Sequence, residues 1–174
     1  MANNNSPEAT ILVIFGVSGD LSRRMLLPAL HEIAAGGALP EKFRIIGSTR
    51  RPLELHEVLP DGDGWLAAHT ELLQVDTDHP ESYQQLGERL STIEAEFGEP
   101  AQRLYYLSVP PEATRGIIAQ LGASCLSRAP RTKLLLEKPF GTDLASSETL
   151  IADIHHCFDE AQIYRIDHYL AKEM

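Results

Sequence analysis

The feature that most restricts this chain is a short apolar run that ends in a glycine turn and is followed at once by a helical pattern. Thr10–Phe15 (TILVIF) is almost wholly apolar and rich in β-branched residues, which marks a strand buried on both faces. Gly16 to Ser22 (GVSGDLS) turns the chain, and residues 21–35 place Leu26, Leu27, Leu30 and Ile33 on one helical face until Gly36 and Gly37. A strand buried on both sides needs a layer on each side, so the rest of the chain should supply helices. It does: strand patterns at 43–47, 71–75, 103–109, 133–136 and 162–166 alternate with helix patterns at 82–97, 111–121 and 144–158. Residues 51–64 read as a short helix and then a loop. Strands alternating with helices imply parallel strands with crossovers on both faces of a sheet. The expected fold is α/β, a Rossmann-type doubly wound parallel sheet of about six strands.

The turn itself carries chemistry. Small residues fall at 16, 19 and 22. Gly16 permits a tight strand-to-helix turn, and Gly19 allows an anion close to the backbone. Ser22 lets the helix lie against the sheet. Free N–H groups and the dipole at the head of the helix favour a pyrophosphate there, which makes Gly16, Ser18, Gly19, Asp20 and Leu21 the candidate contacts. Either Ser18 or Asp20 could cap the helix. The usual G-x-G pair is missing, and a plain strand-to-helix turn is the competing reading of two glycines alone.

Charge narrows the partners. With 25 acidic against 15 basic side chains the formal net charge is −10, which disfavours nucleic acid as a ligand. No apolar run is long enough to span a membrane. An anionic ligand must therefore be held by local features. The second strand ends in Gly47-Ser48-Thr49-Arg50-Arg51, where an NAD enzyme would usually place an acid for the ribose 2′-hydroxyl. Arg50 can fork onto a 2′-phosphate instead, helped by Ser48 or Thr49. The expected cofactor is NADP.

Three segments then resemble the glucose-6-phosphate dehydrogenase family: GVSGDLSRRMLLPAL (16–30), EKPFG (137–141) and RIDHYLAKEM (165–174), with LYYLSVPP (104–111) beside them. The last is long and specific; EKP also occurs in other sugar dehydrogenases. The resemblance implies oxidation of glucose 6-phosphate at C1 to the phosphogluconolactone, the first oxidative step of the pentose phosphate pathway, in a cytoplasmic homo-oligomer. It implies that Lys138 lies beside sugar and nicotinamide, and that Pro139 adjusts their placement. Asp167 would orient the catalytic histidine. His168, Tyr169 and Lys172 would meet the substrate phosphate, and Arg50 the cofactor 2′-phosphate. The residues agree on their own terms: His168 and Lys172 stand four apart, on one face if helical, and a phosphate dianion needs several charged donors.

Two positions depart from the family pattern. Met25 stands where a lysine is usual, and Ala171 where glycine is usual. The family's general base is a histidine in a second α+β domain. His31, His56, His69, His79, His155 and His156 do not match it. The residues 169–174 read as the opening of a helix, so the sequence is expected to continue, and this chain should be inactive alone. The expected organisation is a disordered tail at 1–9 and one dinucleotide-binding domain at 10–174 that ends at the start of the substrate site. His155, His156 and Cys157 are adjacent and point apart, which argues against a metal site. Cys125 is expected as a small buried apolar residue. The alternatives are a non-catalytic NADP-binding module and another EKP-type sugar dehydrogenase.

Overall fold

The computed structural model describes residues 8–59, 64–138, 140–141 and 143–166. Among them, six parallel strands form one sheet in the order β3-β2-β1-β4-β5-β6. The strands are β1 (Thr10–Phe15), β2 (Phe43–Thr49), β3 (Thr70–Gln74), β4 (Gln102–Leu107), β5 (Thr132–Glu137) and β6 (Ile163–Ile166). The strand order reverses between β1 and β4, the position at which such sheets open a crevice beyond their C-terminal ends.

Alternation along β1 makes two cores. Ile11, Val13 and Phe15 join Tyr105, Leu107, Leu134 and Leu136 on one face. There they meet α4 (Pro80–Phe97), α5 (Pro111–Ala123) and α6 (Leu144–Cys157) through Leu86, Leu90, Ile118, Leu121, Leu150 and Ile154. Leu12 and Ile14 face the other way, with Phe43, Ile45 and Tyr106. That face is covered by α1 (Leu27–Ala35), α2 (Leu55–Val58) and α3 (Gly64–Ala68), through Leu27, Leu30, Val58 and Leu66. Ile11, Val13 and Ile14 are wholly buried, so truncating either isoleucine to alanine should cost about 2–5 kcal/mol. On this second face Leu104, Leu135 and Ile166 are only partly buried, and Tyr164 stays exposed with the Lys133 ammonium 5.1 Å from its ring centre.

The helical run after the glycine turn is not uniform. Ser22–Leu26 is a π-helical turn, with the Leu27 N–H donating to the Ser22 carbonyl. Pro28 explains it. Proline has no N–H for the Arg24 carbonyl, and its ring crowds that oxygen, so the preceding turn widens. The phase then changes: Leu27 and Leu30 are buried, but Ile33, expected on the same face, is 43% exposed.

Other boundaries move for equally local reasons. β2 runs two residues past the expected end, because Ser48 and Thr49 still have β3 partners in Leu73 and Gln74. β4 stops at Leu107, two residues early, because its partner Phe15 is followed by the turn at Gly16. The 51–64 segment holds the expected short helix, α2, and Gly64 opens a second one, α3. Cys125 is exposed, against expectation. It sits at φ 59° between α5 and the 3₁₀ turn Leu126–Arg128, and Leu126 takes the buried position instead.

A candidate cofactor and substrate cleft

The crevice is built by the turn after β1 and the exits of β2, β4 and β5. Gly16 has φ +84°, and a Cβ there would lie 2.3 Å from the Ser108 carbonyl oxygen. No L-side chain can replace it without moving β4. The Gly19 N–H donates to the Gly16 carbonyl at 2.9 Å, and the Gly19 carbonyl accepts from the Arg23 N–H at 3.0 Å. Gly19 is thus the last residue before the first helical turn. Neither Ser18 nor Asp20 makes a capping bond among the described residues. Asp20 instead meets Arg24 at 3.4 Å with both side chains well exposed, a pair of little energetic weight.

Ser22 is completely buried. Its hydroxyl is 3.1 Å from the Gly16 carbonyl and 2.9 Å from the Ser108 hydroxyl, so one small side chain ties the helix head to both strand exits. Val17 is also fully buried and packs beside Gly47, where a Cβ would come within 2.8 Å of Val17 Cγ1 and Leu72 Cδ2. The seat of the turn therefore depends on a glycine in β2.

Two cavities open over this turn. One, of about 540 Å³, is lined by Gly16, Ser18, Gly19, Thr49, Arg50 and Tyr83 among others. The other, of about 340 Å³, is lined by Gly19, Asp20, Leu21, Glu137, Lys138 and Phe140 among others. They share Gly19, Ser108, Val109 and Pro110, so they form one cleft across the strand-order reversal. Both sizes suit a small-molecule ligand.

The sequence-derived residues divide between its two ends. Gly16, Ser18, Gly19 and Arg50 line the first cavity, and Gly19, Asp20, Leu21 and Lys138 the second. Arg50 is exposed at the exit of β2, and its carbonyl accepts a bond from Gln74 Nε2 at 3.0 Å, which fixes the backbone there against β3. Met25 lies in the π turn and is 60% exposed. Pro139, Asp167, His168, Tyr169, Ala171 and Lys172 lie outside the described residues.

The structure adds a pair that the sequence did not disclose. Tyr106, near the end of β4, donates its hydroxyl to the carboxylate of Glu137, the last residue of β5. Tyr106 is opposite Leu135, and Glu137 is two residues farther on the same face. Burial, then the hydrogen bond to Glu137 and its charge, push the phenol well above its ordinary value, so it stays a donor. The two residues are 31 apart in sequence, and no local spacing signals their meeting. Only the register of two strands brings them together.

A family model described as "Glucose-6-phosphate dehydrogenase, NAD binding domain" matches residues 13–174. The chain belongs to the glucose-6-phosphate dehydrogenase family. Glucose-6-phosphate 1-dehydrogenase of Bacillus subtilis (strain 168) is 35% identical over 186 residues, covering 100% of this chain and 38% of that protein. The Schizosaccharomyces pombe protein of the same name is 32% identical over 192 residues, covering 99% of this chain and 38% of its own length. A solved glucose-6-phosphate dehydrogenase in complex with its substrate glucose-6-phosphate superposes with a TM-score of 0.81 at 29% identity, covering 95% of this chain and 38% of that one. The enzyme from Mycobacterium avium gives 0.76 at 30% identity, covering 94% of this chain and 36% of that one. The chain thus spans well under half the length of these glucose-6-phosphate dehydrogenases, and the matched part is the one named for NAD binding.

Proposed function

We propose that the protein carrying this chain oxidises glucose 6-phosphate at C1 with NADP, and that residues 10–174 form its coenzyme-binding domain. The observation that carries this reading is the single cleft with Arg50 at one end, Lys138 at the other and the Gly16–Gly19 turn between. A diphosphate fits this place: Gly16 and Gly19 leave the backbone bare, and the helix beginning at Asp20 turns its N-terminus toward the cleft. Ser18, Asp20 and Leu21 complete that seat. Arg50 then meets the 2′-phosphate with charge-assisted bonds that NAD could not use. When bound, the nicotinamide supplies the acceptor for the hydride that leaves C1.

The chain's own residues would place the sugar. Lys138, at the exit of β5, presents a cation to the sugar hydroxyls, and Pro139 would adjust the placement of cofactor and sugar. His168, Tyr169 and Lys172 would hold the substrate phosphate. Asp167 would orient the histidine that removes the C1 hydroxyl proton, and that base lies outside this sequence in the family pattern. Sugar phosphate and NADP are the small-molecule partners. A cytoplasmic homo-oligomer is the proposed setting; no helix among the described residues is long and apolar enough to cross a membrane.

The test is an assay of NADP reduction by the natural protein with glucose 6-phosphate and with glucose. Reduction with the phosphate and little with free glucose supports the reading. Reduction with free glucose alone would instead favour another EKP-type sugar dehydrogenase.

A further inference from the structure

We propose that Tyr106 is a positioning residue for the reaction, acting through Glu137 on the geometry of the substrate end of the cleft. The proposal rests on the function put forward above. Three observations carry it. Glu137 and Lys138 both line the cavity at that end, together with the Gly19–Leu21 turn. The Tyr106 hydroxyl donates to Glu137 across the β4–β5 pair. Tyr106 itself is 7% exposed within the core on the α1 side of the sheet, so its ring cannot follow a moving partner.

The consequence follows from where β5 ends. Glu137 is its last residue, paired with Ile166 of β6, and Lys138 comes directly after. A carboxylate at a strand terminus has several accessible rotamers. The phenol narrows them by anchoring one oxygen from a rigid neighbour, and the side chain so held steadies the strand exit from which Lys138 departs. Because burial and the adjacent carboxylate both keep the phenol protonated, the anchor persists through the neutral range. Tyr106 lines neither cavity of the cleft and acts on it through Glu137. It supplies one supporting contact to a residue that lines the site.

The experiment is a double-mutant cycle in the natural protein: Tyr106→Phe, Glu137→Gln and both together. Phenylalanine keeps the ring in its buried place and removes only the donor. Glutamine keeps the acceptor oxygen but not the charge. Tyr106→Phe should lower kcat/KM for glucose 6-phosphate about tenfold while the NADP dissociation constant changes less than about twofold. Added to Glu137→Gln, it should cost less than it does alone, since the bond it then removes is a neutral one without the charge assistance of the carboxylate. Thermal midpoints and NADP fluorescence titrations show that each variant is folded and binds cofactor. Additive losses, or an unaltered kcat/KM in Tyr106→Phe, would overturn the positioning role. So would equal losses of cofactor affinity and turnover, which signify a merely structural part. A parent protein that binds NADP yet does not oxidise glucose 6-phosphate overturns the proposed function, and this inference with it.

Discussion

The Ser22 hydroxyl lies 2.9 Å from the Ser108 hydroxyl, across 86 residues of sequence. It joins the head of the first helix to the exit of β4, beside the boundary between β1 and β4 at which the sheet order reverses. Ser22→Ala should leave Ser108 and the Gly16 carbonyl without this partner and lower stability by about 1 kcal/mol. Denaturant unfolding measures it. The same variant should weaken NADP binding modestly, because the turn loses its tether.

Gly16→Ala should be far more damaging. The residue is left-handed, and the added Cβ would lie 2.3 Å from a backbone oxygen that cannot yield cheaply. The conformational part alone costs about 1–3 kcal/mol. Thermal unfolding should drop sharply, and titration should show loss of NADP binding.

How much of this was legible follows from the range of each signal. The alternation of apolar runs and helical patterns, and the glycine turn between Phe15 and Ser22, are local, and they gave the fold and the place of the cleft. Pro28 was visible too, but its effect, a π turn that rephases the helix and leaves Ile33 exposed, depends on how one ring meets one carbonyl. The extension of β2 through Ser48 and Thr49 depends on neighbours supplied by β3. Cys125 reads as buried from its type alone, whereas its backbone conformation places it outside. Tyr106 and Glu137 meet only through strand register, so no reading of either motif alone could join them.

Arg50→Ala should weaken NADP about ten- to a hundredfold, the loss of a charge-assisted contact worth about 1.5–3 kcal/mol. NAD affinity should barely change. Fluorescence titration of the two reduced cofactors checks it; equal weakening of both would remove Arg50 from the 2′-phosphate.

Acid should erode part of the stability through the cap of α6 and an exposed ion pair near β6. The Ser146 backbone N–H and hydroxyl hold the Asp143 carboxyl below its usual range, and Arg165 does the same to Glu160. A carboxyl depressed in the folded state stabilises it above the ordinary carboxylate pKa, and this is lost as pH falls through the lowered value. Asp143→Asn keeps a capping oxygen. It should flatten the acid limb of stability against pH, measured by denaturant midpoints in mildly acidic buffers.

Lys172→Ala in the natural protein should raise KM for glucose 6-phosphate with a smaller change for NADP. Steady-state kinetics with each ligand varied in turn measure it. An unchanged KM would take Lys172 off the phosphate.

The most direct test is a crystal structure of the chain grown with NADP. The diphosphate should rest on the backbone between Gly16 and Leu21, the 2′-phosphate should lie within hydrogen-bond reach of Arg50, and the nicotinamide should point toward Lys138. A cofactor bound elsewhere, with the Gly16–Leu21 turn closed against it, would contradict the account.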